Sequence, residues 1–116
     1  MTSRSDELEE RLLAFSVQIL KIVEQLPSTR TGDHVAGRLL RSVPSTYPNH
    51  GGVESADARK DLVQALKELR ETQRCLKLIQ RVPLVHRAEE LIAILQEIDE
   101  LLGIFVTDLK TAGNRS

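Results

Sequence analysis

The chain has 116 residues, 41% of them apolar and 28% charged, with a net charge of −1. That is the composition of one globular domain: too hydrophobic for a disordered chain, too charged for a membrane one, and too short for two separate cores. Three aromatic residues, Phe15, Tyr47 and Phe105, and no tryptophan leave a core of Leu, Ile and Val. This also weighs against a platform for stacking bases or sugars.

No apolar run reaches the eighteen or so residues of a membrane-spanning helix, and the acidic first ten residues carry no apolar leader core. A soluble, cytoplasmic protein is expected. Cys75 is the single cysteine, so an intramolecular disulfide is excluded and a packed thiol is the expected role.

The first predicted helix spans 6–26. Leu8, Leu12, Phe15, Ile19, Ile22, Val23 and Leu26 recur at steps of three and four, and Pro27 ends the run. The second, over 33–50, carries Val35, Leu39, Leu40 and Val43 but is interrupted by Pro44 and Pro48 and closed by Gly51 and Gly52. A kinked or shortened helix and an irregular stretch over 44–52 are both open. The third, over 55–81, opens with Ser55 as N-cap and Asp57 in the first turn, and carries Leu62, Leu66, Leu69, Leu76 and Ile79, widened by Val63 and Cys75. The fourth, over 84–109, places Ala88, Leu91, Leu95, Ile98, Leu102, Phe105 and Leu109 at 3-4 spacing, the seam of left-handed bundle packing. A flexible tail is expected over 110–116. These elements predict an all-α, antiparallel up-and-down four-helix bundle, its second helix kinked or shortened by prolines.

Charge is unevenly placed. Residues 55–81 hold seven basic and four acidic side chains, a balance of +3, while 83–109 hold one basic and six acidic, a balance of −5. Lys60, Lys67, Arg70, Arg74, Lys77 and Arg81 follow intervals of 7, 3, 4, 3 and 4, so all six project from one face of the third helix. Arg38 and Arg41 add a basic cluster on the second. Two readings are open. The stripe is a phosphate-binding ridge for RNA or DNA, or a site for an acidic protein partner; or it is a solvated face, offset by Glu68, Glu71 and the acidic Glu89, Glu97 and Glu100 of the fourth helix or a neighbouring subunit.

Nothing in the pattern points to catalysis, a cofactor or a metal. His34, His50 and His86 have no helical partner spacing for metal binding, Glu68 and Glu71 share a face without a histidine, and Cys75 has no evident base. Gly51-Gly52 lacks the strand and lysine of a phosphate loop.

Two stretches resemble a known family: Arg41-Ser42-Val43-Pro44-Ser45 with Asn49, and Lys60-Asp61-Leu62-Val63 leading to Lys67-Glu68-Leu69-Arg70-Glu71-Thr72 and Cys75-Leu76. They resemble the four-helix-bundle family of proteins encoded by intervening sequences in bacterial 23S ribosomal RNA genes, which includes the accessory variability proteins of diversity-generating retroelements. The resemblance spans roughly Leu12 to Phe105. It implies a barrel-shaped homopentamer without catalysis and, in the retroelement branch, binding of nucleic acid and of the reverse transcriptase. The chain departs from the family at Pro44 and Pro48, in having its acidic residue displaced to Glu54, and in its near-neutral charge.

Overall fold

The computed structural model describes residues 3–44, 56–86 and 88–114. The described residues form four helices: α1 over Arg4–Gln25, α2 over Arg30–Ser42, α3 over Ala56–Arg81 and α4 over Ala88–Asn114. Each packs on two neighbours, and neither diagonal pair, α1 with α3 or α2 with α4, comes together. Ion pairs fix the direction of α1 against α4: Arg4, at the start of α1, meets Asp108 near the end of α4. At the other end of α1, Gln25 Nε2 donates to Glu90 Oε2 at 3.0 Å. The result is an antiparallel bundle of 47 × 28 × 17 Å.

The helix ends follow local chemistry. α1 starts two residues before the expected Asp6 because Ser3 and Asp6 form a capping box: Ser3 Oγ accepts from the Asp6 amide at 3.1 Å, and Asp6 Oδ2 accepts from the Ser3 amide at 3.4 Å. α2 likewise starts at Arg30, not Asp33, because Thr29 Oγ1 accepts from the Gly32 amide at 3.0 Å. Gly32 is needed there, since a Cβ would run into the Pro27 carbonyl that packs over it.

Among the described residues α2 ends early. It stops at Ser42, and Val43 turns extended with φ −68° and ψ 121° because Pro44 bars it from the helical region. The helix thus stops before the first proline, and the expected continuation to His50, with Pro48, Gly51, Gly52 and the Ser55 cap, lies outside the described residues. α3 ends at Arg81, where the Leu84 amide reaches back to the Ile79 carbonyl at 2.9 Å and the Val82 amide to Leu78 at 3.0 Å. That closure and Pro83 turn the chain toward α4. Leu84 and Val85 fall in the connection, so α4 starts four residues after the expected 84. It then runs to Asn114, through residues expected to form a flexible tail.

The core is one cluster. Phe15, Ile19 and Ile22 of α1, Val35 and Leu39 of α2, Leu62, Leu69, Leu76 and Ile79 of α3, and Ile98, Leu101 and Phe105 of α4 are its centre. The buried seam of α4 is Leu91, Ile94, Ile98, Leu101 and Phe105, continued by Asp108. The expected members Leu95, Leu102 and Leu109 are half-buried beside it. Apolar pairs at 94/95 and 101/102 let two adjacent stripes satisfy the same 3-4 spacing, and packing against both α1 and α3 selects one.

Candidate polyanion-binding face

Core leucines decide where the charges of α3 point. With Leu62, Leu69 and Leu76 turned inward and fully buried, Lys60, Lys67, Arg70, Arg74, Lys77 and Arg81 project on the opposite side, and all six are exposed. Arg59 is exposed too and lies three turns before Arg70 on the same side, a seventh cation that the selection by spacing passed over. Its signal was present in the three-turn interval. None of the seven makes an ion pair with a described residue.

Of the carboxylates expected to offset this stripe, Glu97 and Glu100 are engaged by α1 and Glu71 by α2. Arg11 of α1 donates from Nε and Nη2 to the two oxygens of Glu97, each at 2.8 Å, and also pairs with Glu100. Bidentate, charge-assisted hydrogen bonding of this kind stabilises the ionised partners. The Arg11 guanidinium holds the Glu97 carboxyl below the usual carboxylate range, and Glu97 in turn raises the basicity of Arg11. Asp108, with a side chain 10% exposed, accepts from Arg4 at 2.6 and 3.2 Å. Gln73 Nε2 donates to Asp99 Oδ1 at 2.6 Å. The acidic helix α4 thus answers mainly to arginines of α1.

The basic face has two flanks. Toward α2, an open groove of about 440 Å³ is lined by Arg38, Arg41, Gln64, Lys67, Glu68 and Glu71. Arg38 is committed within it: its Nε donates to Glu71 Oε1 at 2.9 Å, and the pairing raises the basicity of Arg38. Arg41 is exposed and makes no ion pair with a described residue. Toward α4, an open groove of about 750 Å³ carries Arg70, Arg74, Lys77 and Arg81 along its edge, with Leu78 and Leu102 forming apolar surface among them. The sequence candidates therefore divide: Lys67, Arg38 and Arg41 face the α2 groove, Arg70, Arg74, Lys77 and Arg81 face the α4 groove, and Lys60 stands apart from both.

The remaining reactive groups are quiescent. Cys75 is buried, and burial together with the nearby Glu71 carboxylate pushes its thiol pKa up, away from nucleophilic thiolate. His34 and His86 are exposed and His50 lies outside the described residues. Among the described residues no three His, Cys, Asp or Glu side chains converge as a metal site. No helix formed by the described residues is long and apolar enough to cross a membrane.

No protein-family model matches this chain, and neither a curated protein nor a solved structure does.

Proposed function

We propose that this protein is a non-enzymatic, oligomeric helical module that binds polyanions, RNA or DNA, through the outer face of α3. The observation that carries this reading is the row of exposed cations from Lys60 to Arg81, without ion-pair partners among the described residues, while Glu97, Glu100 and Asp108 of α4 are held by arginines of α1. A straight ridge of point charges suits a phosphate backbone and has no means of reading bases, so binding is independent of sequence. The shallow, open shape of both flanking grooves suits an extended ligand better than an enclosed small substrate. The family resemblance supports the same direction, with a homopentamer as the assembly and nucleic acid as the ligand.

Fluorescence anisotropy of a labelled duplex, titrated across salt, tests the reading. Affinity falls steeply with salt, and Lys60→Gln combined with Lys67→Gln flattens the log–log salt slope by about two, because each lost phosphate contact removes about 0.9. Absence of binding at low salt removes the nucleic-acid reading. It would leave α3 as a surface for an acidic protein partner or for assembly alone.

A further inference from the structure

α1 carries two seams. The inner one, Leu8, Leu12, Phe15, Ile19 and Ile22, is buried in the core. The outer one, Glu10, Leu13, Val17, Leu20 and Glu24, has the same alternation of three and four residues, the spacing of a helix face that packs against another helix. None of the described residues covers it: Leu13, Val17 and Leu20 are 57%, 44% and 53% exposed. Glu10 and Glu24 make no ion pair with a described residue.

We infer that this ridge docks against the α3–α4 groove of a second copy of the chain, forming a head-to-tail contact. Charge selects that occupant. Arg70, Arg74, Lys77 and Arg81 line the groove over about 16 Å of the α3 axis. Glu10 and Glu24, about 21 Å apart along α1, bracket a row of cations of that length. The three apolar residues of the ridge meet Leu78, 45% exposed, the half-buried Leu102, and the aliphatic stems of the arginines and lysines. Within one chain α1 and α3 stand diagonally across the core and do not pack side by side, so the groove that the outer face of α1 meets belongs to another molecule. Pairing α1 with α1 is disfavoured, because it sets the glutamates of the two ridges against each other. The contact joins two different surfaces and so propagates to a closed ring or a filament. It rests on the oligomeric part of the proposed function and takes the cations of the α4 flank, leaving Lys60, Lys67 and the α2 flank to the polyanion.

Light-scattering mass of the purified chain tests it with two variants at exposed positions: Leu13→Gln with Leu20→Gln on the ridge, and Arg74→Glu with Lys77→Glu on the groove. The parent protein should exceed the 13.0 kDa of one chain. Each variant alone should lose assembly, and an equimolar mixture should give a one-to-one complex, since one variant keeps its groove and the other its ridge. A parent at single-chain mass, a ridge variant that assembles like the parent, or a mixture that stays at single-chain mass each overturns the inference. Should circular dichroism show the leucine substitutions losing helicity, Glu10→Gln with Glu24→Gln makes the equivalent ridge lesion. The ridge variant keeps the α3 cations and so still binds a duplex at low salt. A chain that assembles but binds no duplex fails the polyanion reading and not this one.

Discussion

Gly103 sits exposed in the middle of α4, and a Cβ there would meet nothing within 4 Å. Glycine loses more backbone freedom on folding than any other residue, so Gly103→Ala should stabilise the protein by about 0.5–1 kcal/mol, read as a rise in thermal midpoint of a few degrees. An unchanged or lower midpoint would mean that the position is occupied in the assembled protein. Gly32 looks similar in sequence but is its opposite, because the Pro27 carbonyl lies where its side chain would be. Nothing in the local pattern separates the two glycines; the difference comes from the turn that brings α1 back over α2. Capping residues were more legible. Ser3 with Asp6 three residues on is a readable start signal, and reading it would have placed the first helix correctly.

Between elements, the α1–α4 interface is organised by Arg11, whose guanidinium bridges Glu97 and Glu100. Glu97 titrates below the usual carboxylate range, so the stability it contributes is present above that range and is lost as pH falls through its lowered value. The pair is partly open to solvent, which limits its worth to about 1 kcal/mol. Arg11→Gln should therefore lower the melting temperature modestly at pH 7, with the difference from the parent shrinking below about pH 4 as Glu97 protonates in both. A gap independent of pH would place the contribution of Arg11 in packing of its stem and not in its charge. The charge pattern of α3 was readable from spacing alone, because leucine periodicity fixes which side faces in. The destination of the acids on α4 was not, since sequence order places α4 next to α3 while contacts with α1 arise from the closing of the bundle. For the same reason Leu13, Val17 and Leu20 went unnoticed: an apolar residue off the inward stripe has meaning only once the stripe is seen to be filled without it.

At the scale of the molecule, four amphipathic segments of suitable length made the bundle legible before any coordinates, and Pro44 marked where the second helix had to stop. Aliphatic seams are permissive, however, as the choice between Leu95 and Ile94 in α4 shows. Against that uniform background, Ser42 and Thr72 are buried between α2 and α3 with their hydroxyls 2.9 Å apart. The Leu39 carbonyl lies 3.3 Å from Ser42 Oγ and the Glu68 carbonyl 2.9 Å from Thr72 Oγ1, so one hydroxyl donates to the carbonyl on its own helix while the other donates across the pair. Replacing both with Ser42→Ala and Thr72→Val should change global stability by less than about 1.5 kcal/mol, because the pair is removed together and no orphan is left. Leucines sliding past leucines by one turn exchange like for like, whereas two hydroxyls out of step would be stranded in hydrocarbon. The pair thus acts as an alignment pin for the short helix. Without it, amide hydrogen exchange along α2 should quicken while the melting transition broadens, the behaviour of a fold that has kept its cohesion and lost its single best packing.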